Sequence, residues 1–241
     1  MEALVGYFDL VGFGPQGWGD LLLAAFLMTV AVSACGFCVG TIIGSLVAAM
    51  KLSRYAILRW LGDSYTTVLR GIPDLLVIYL FYFGGSAMLG SLGSIVGYEG
   101  YIGMPAFITG TVALGVVSAA YQAEVFRGAY RSVSRGELEA ATAVGMGLWL
   151  KLRRIVVPLV LRHAIPGLGN TWQLILKESA LISVTGLVEI LRQSQIAAGS
   201  TRKPFEFYLT AIILYLAITW ISSGFFRFME QRSMRGVRRA L

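Results

Sequence analysis

Apolar residues along this chain fall in five long stretches, over about 21–50, 66–88, 105–125, 165–188 and 207–228, and in none do apolar and polar positions strictly alternate. Roughly 20 mostly apolar residues let a helix cross a bilayer, and a segment in lipid must satisfy its backbone internally. Without the two-residue period of a barrel strand, the pattern predicts five transmembrane helices in an all-α integral membrane protein. The fourth stretch is the most polar, with Lys177 and Glu178 inside it. No repeat period or low-complexity linker interrupts the pattern. Residues 21–230 therefore read as one membrane domain, with a leader over 1–20 and a basic tail over 231–241.

Composition narrows the classes further. Of 241 residues, 56% are hydrophobic and 14% charged, whereas a soluble domain carries about 25% charged residues. Soluble, disordered, collagenous and disulfide-stapled chains are thereby disfavoured. The distribution of bases sets the orientation. The leader has none, and the second connection, 90–104, has none either. Lys51, Arg54 and Arg59 fill the first connection, and Arg127, Arg131, Arg135, Lys151, Arg153, Arg154 and Arg162 the third; Arg227, Arg232, Arg235, Arg238 and Arg239 lie at the C-terminal end. The fourth connection holds only Arg192, Arg202 and Lys203. The excess places the N-terminus outside and the C-terminus inside. The net charge of +7 is this inside bias rather than a nucleic-acid footprint. The leader lacks the basic start of a signal peptide, so the first span is expected to stay uncleaved, with the leader along the membrane interface.

The third connection is long enough to hold structure of its own. Residues 137–143 are helix-favouring, and Gly145 and Gly147 then allow a bend. Leu148, Trp149, Leu152, Ile155 and Val156 recur at helical spacing opposite Lys151, Arg153 and Arg154, and Pro158 is expected to limit that helix. Two short helices at an angle follow, and on these features alone a basic amphipathic helix resting on anionic lipid is an adequate reading.

The order Glu139-Ala140-Ala141, Gly145, Ile155 and Pro158 adds a second reading. It resembles the EAA loop of permease subunits of bacterial ABC importers, with Val157 in place of the usual Leu before the proline. Further runs are similar to the polar amino-acid subfamily: Arg70-Gly71-Ile72-Pro73 at the start of its second span, residues 120–128 at the end of its third, and residues 167–177 in its fourth. The resemblance extends over about 20–230 and is nearest to permeases for histidine, lysine, arginine and ornithine and for opines. It implies a type I ABC importer permease in the bacterial inner membrane, with the coupling loop over 136–158 docking on an ATPase. The implied partners are a homologous permease, favouring a heterodimer over a homodimer, two ATP-binding subunits and a periplasmic solute-binding protein. ATP and Mg would be bound by the ATPases, and no cofactor by this chain. Its own sequence has no Gly-x4-Gly-Lys-Ser/Thr phosphate loop.

Residues inside the spans carry the expected chemistry. Charges at membrane depth are costly and mark substrate paths. Thr171, Glu178 and Thr185 recur every seven residues, with Leu174 and Ile182 beside them, as a stripe facing a central cavity. Glu178 supplies a counter-charge for a cationic substrate; the plainer reading is that it neutralises another helix. Some members of the resembled family place a carboxylate where Thr171 stands, so a partner permease would have to supply it. Glu124 and Arg127 read as an ion pair three residues apart. Arg70 reads as snorkelling or as a contact to the partner, beside Gly71 and Pro73 as structural residues. Gly36, Gly40 and Gly44 form a small-residue stripe for close helix packing. Cys35 and Cys38 spell Cys-x-x-Cys in mid-span, where buried thiols act as small apolar residues rather than a redox site. His163, the lone histidine, builds no metal site. The competing function is a stand-alone secondary carrier or channel, against which the odd number of spans and the scarcity of intramembrane carboxylates both speak. A membrane enzyme lacks a nucleophile, base or metal cluster at one interface.

Overall fold

A computed structural model describes residues 2–14, 17–95 and 103–234, and every regular element among them is helical. In chain order these are α1 (Glu2–Val11), α2 (Gly19–Lys51), α3 (Ala56–Gly71), α4 (Asp74–Tyr79), α5 (Gly85–Ile95), α6 (Ala106–Arg131), α7 (Arg135–Ala143), α8 (Leu148–Lys151), α9 (Val157–Glu178), α10 (Ile190–Thr201) and α11 (Pro204–Ser233). Residues 96–102 of the second connection, and the tail from 235 with Arg235, Arg238 and Arg239, lie outside the described residues.

The molecule is built around α6, which packs along α2. The reason is legible residue by residue. A Cβ at Gly36 would stand 2.9 Å from Leu114 Cβ, one at Gly40 2.1 Å from Ser118 Oγ, and one at Gly44 3.0 Å from the Ala119 carbonyl. The glycine stripe on α2 meets Gly115, Ser118 and Ala119 of α6, so the two backbones approach closely. Gln122 ties the seam by accepting from Thr41 Oγ1 at 2.7 Å and donating to the Phe37 carbonyl at 3.2 Å. Around this pair, α9 packs on α6, α11 on α9 and α10, and α3 on both α2 and α6.

Among the described residues, four helical segments are long and apolar enough to cross a membrane: Gly19–Lys51, Asp74–Leu92, Ala106–Arg131 and Pro204–Ser233. The second starts at Asp74 and not near 66 as the hydropathy suggests. Pro73 lacks an N–H and pushes Ile72 out of helical space (φ −101°, ψ 146°), so α3 ends at Gly71 and a fresh helix begins. That helix loosens into a π-turn over Leu80–Gly84 before α5. The stretch over 165–188 is not one of the four. Its helix, α9, begins earlier and stops at Glu178; a 3-10 stretch, Ser179–Thr185, follows and ends at Gly186, whose φ of +89° turns the chain.

Two further expectations change. Pro158 does not terminate the preceding helix. α8 runs through a π-turn over Leu152–Val156 into α9, which puts Pro158 in the first turn of α9, where a missing N–H costs little. Cys35 and Cys38 are exposed on the outer face of α2 rather than buried. The leader packs inward: Tyr7 Oη lies 2.7 Å from Thr210 Oγ1, and Trp18 meets the fully buried Phe207 edge to face.

Candidate functional site

Two regions gather most of the residues singled out in the sequence, and α9 connects them. The first is the turn between α7 and α8. Here Gly145 N donates to the Thr142 carbonyl at 3.0 Å and Met146 N to the Ala141 carbonyl at 3.1 Å. This paired pattern closes a helix on a left-handed residue, and Gly145 occupies that position with φ +74°. Across the turn lies a groove of about 500 Å³ lined by Ala140, Ala141, Ile155 and Pro158 together with Glu137 and Arg154. The short alanine side chains open it. Glu139 is exposed and stands outside the lining. Lys151 Nζ donates to Thr142 Oγ1 at 3.0 Å and braces α8 against α7. At the tip, Val144 is 72%, Leu148 83% and Trp149 73% exposed, a bare apolar surface next to the groove.

The second region lies where α9 ends. Glu178 is buried and one of its oxygens, Oε2, has no hydrogen-bond partner. The carboxyl it faces is Asp74, on the first residue of α4. Thr171 is buried two turns earlier on α9 and donates to the Gly167 carbonyl at 3.1 Å; Leu174, one turn earlier, is half-buried. The seven-residue stripe stops there. Because α9 gives way to a 3-10 stretch after Glu178, Ile182 turns into the core and Thr185 Oγ1 bonds back to the Ile182 carbonyl at 2.8 Å. Ile182 is fully buried against Gly110, where a Cβ would come within 2.8 Å of it, so it faces protein rather than a cavity.

Asp74 is not among the residues that the sequence pattern singles out. Its signal was present: a carboxylate directly after Pro73, at the head of an apolar stretch, is as conspicuous as Glu178 once the helix start is placed at residue 74.

An ion network joins α2, α3 and α6. Lys51 Nζ donates to Thr66 Oγ1 at 2.7 Å, pairs with Asp63 at 3.0 Å and contacts Glu124. Glu124 in turn accepts from Arg127 Nε at 2.9 Å. The pair expected within α6 is thus part of a larger unit anchored by the buried Lys51 side chain. Next to it, Arg70 stacks on the Tyr121 ring with Cζ 5.4 Å from its centroid. Arg70 and Gly71 border the same cavity as Lys51 and Glu124.

Another buried carboxylate, Glu189, ties α10 to α11. Glu189 caps α10 by accepting from Leu191 N at 2.8 Å and Arg192 N at 2.7 Å, and Tyr215 Oη donates to it at 2.9 Å.

Comparison with known proteins places this architecture. Residues 40–235 match the family model described as the inner membrane component of binding-protein-dependent transport systems. The octopine transport system permease protein of Rhizobium meliloti is 56% identical over 98% of this chain and 100% of its own length. The histidine/lysine/arginine/ornithine transport system permease protein of Escherichia coli is 37% identical over 93% of this chain and 98% of its own. A solved amino acid ABC transporter, crystallised with histidines, superposes with a TM-score of 0.74 at 30% identity, covering 89% of this chain and 95% of that one. Regular structure that is wholly helical among the described residues, with four long apolar helices there, a sequence match over most of the chain's length and this superposition have one common explanation: the chain belongs to the family of inner-membrane permease components of binding-protein-dependent ABC transport systems.

Proposed function

We propose that this permease carries cationic amino acids or opines across the inner membrane, with Asp74 and Glu178 as the counter-charges on its substrate path. The relatives named for octopine and for histidine, lysine, arginine and ornithine support the substrate class. The facing carboxyls of Asp74 and Glu178 are the observation that carries it, because two acids at membrane depth are stable chiefly when a cation or a proton accompanies them. Thr171 adds a hydroxyl on the same face of α9 two turns earlier, and Leu174 an apolar wall.

As a permease the chain performs no catalysis and draws its energy from separate ATPase subunits. In this reading it crosses the membrane five times with its N-terminus outside; α9 and the following 3-10 stretch make the additional span. The groove lined by Ala140, Ala141, Ile155 and Pro158, with the bare tip of Val144, Leu148 and Trp149, docks on one ATPase. The membrane core comprises residues 21–230, the coupling loop 136–158, and the assembly pairs this chain with a homologous permease, two ATPases and a solute-binding protein. Closure of the ATPases shifts the cavity between inward and outward access, which requires them to hold one state more tightly than the other.

The test is reconstitution with the homologous permease, ATPase and binding protein in liposomes, following uptake of labelled arginine and histidine. Uptake should require ATP, vanish when any subunit is omitted, and fall in Glu178→Gln. Transport by this chain alone, without ATP, would overturn the subunit reading in favour of a carrier.

A further inference from the structure

The cavity between α2, α3 and α6 has a volume of about 440 Å³ and a predominantly polar wall that includes Lys51, Thr66, Arg70, Tyr121 and Glu124. Its size falls in the range of roughly 300–1,000 Å³ typical of small-molecule sites. Most of its charge is already spent. Lys51 directs its three protons to Thr66, Asp63 and Glu124, and Glu124 divides its oxygens between Lys51 and Arg127. Arg70 is different. It is exposed, forms no ion pair and donates no hydrogen bond among the described residues, and is held only by its stack on Tyr121.

The chain break explains why this guanidinium is free. Arg70 and Asp74 are four residues apart, a spacing that would pair them on a continuous helix. Ile72 (ψ 146°) and Pro73 (ψ 130°) are extended instead and turn the two side chains apart. Asp74 goes to Glu178, and Arg70 goes to the face of Tyr121 on the cavity wall. Tyr121 lies in the field of Asp74 and Glu178 as well as under Arg70. One aromatic ring thus carries a planar cation on its face within the field of two acids.

We propose that this cavity is a second station on the substrate path, where the Arg70 guanidinium receives the carboxylate of a cationic amino acid. The assignment rests on the amino-acid reading above and adds the group that recognises the other end of the substrate. A guanidinium offers parallel N–H donors matched to a carboxylate, which a lysine in the same place would not. Stacking on Tyr121 fixes the plane of that fork before the ligand arrives.

The experiment compares equilibrium binding of labelled arginine and of agmatine, its decarboxylated counterpart, to the purified permease–ATPase assembly without binding protein. The wild-type assembly should hold arginine roughly tenfold or more tighter than agmatine, the scale of one charge-assisted hydrogen bond. Arg70→Gln should abolish the preference, and Arg70→Lys should restore part of it. ATP-dependent arginine uptake, measured in parallel, separates the two readings. Uptake that persists while Arg70→Gln keeps the wild-type preference would overturn the carboxylate station and leave the importer reading intact. Loss of both binding and uptake in the wild type would overturn both. Disappearance of the wild-type preference on adding phosphatidylglycerol would assign the guanidinium to a lipid phosphate and overturn the proposal as well.

Discussion

At the scale of single residues, Gly145 and Glu178 have opposite histories. Gly145 sits at φ +74°, a conformation that costs a residue with a Cβ about 1–2 kcal/mol. Nothing crowds the position: a Cβ there would meet no atom within 4 Å. The strain is therefore conformational, and Asn, which tolerates the left-handed region, should be accepted better than Val. We expect Gly145→Val to reduce ATP-dependent uptake severely and Gly145→Asn mildly, with equal amounts of both inserted in the membrane. Equal uptake by the two would remove the turn from the coupling mechanism. A local requirement of this kind is readable in the sequence, because a turn between two helical runs announces its glycine. The partner of Glu178 was not readable, because Asp74 is distant in sequence and reaches it only after Pro73 ends α3 and restarts the chain. Asp74→Asn should accordingly lower uptake of arginine much as Glu178→Gln does, and the double substitution should cost less than the two combined, since neutralising one acid relieves the other. Fully additive losses in a double-mutant cycle would show that the two carboxyls act apart.

Elements were predictable to the extent that apolar length decides them. The three apolar helices that run without a break, α2, α6 and α11, match the hydropathy pattern closely. The other two stretches are shaped by local backbone chemistry that mean hydropathy averages away: Pro73 delays the start of one, and Gly186 and the change to 3-10 geometry end the helical part of the other. Pro158 misleads in the reverse direction, since it stands in the first turn of α9, where a missing N–H costs little. The α2–α6 seam is the most extensive helix contact and carries a direct prediction. Gly40→Leu places a side chain where a Cβ already meets Ser118 Oγ at 2.1 Å, and overpacking of this kind costs about 1–3 kcal/mol. The detergent-solubilised protein should melt at a lower temperature. Gly199→Leu, at an exposed position on α10 with no atom within 4 Å of its Cβ, is the control and should melt like the parent. If Gly40→Leu melts unchanged, the helices do not pack at this distance in the folded protein.

For the whole molecule, the position of α9 decides how events at one end reach the other. Its first turn holds Pro158, on the groove proposed to face the ATPase, and its last residue is Glu178, on the proposed substrate path. A straight helix of 22 residues spans about 33 Å. If α9 moves as a rod, a tilt imposed at the groove displaces Glu178 without any intervening relay, and its packing on α6 sets the pivot. One residue argues against rigidity: Pro166 lies inside α9, where prolines kink or hinge helices. Spin labels at Leu161 and Lys177, both exposed and on either side of Pro166, distinguish the two mechanisms in the reconstituted assembly. Their Cα atoms stand about 24 Å apart along a straight helix. A rod keeps that separation the same with and without trapped ATP, while the distance from Lys177 to Arg202 beyond α10 changes. A hinge shortens the first distance on ATP binding, and would move the mechanical centre of the transporter from the coupling loop to the middle of α9.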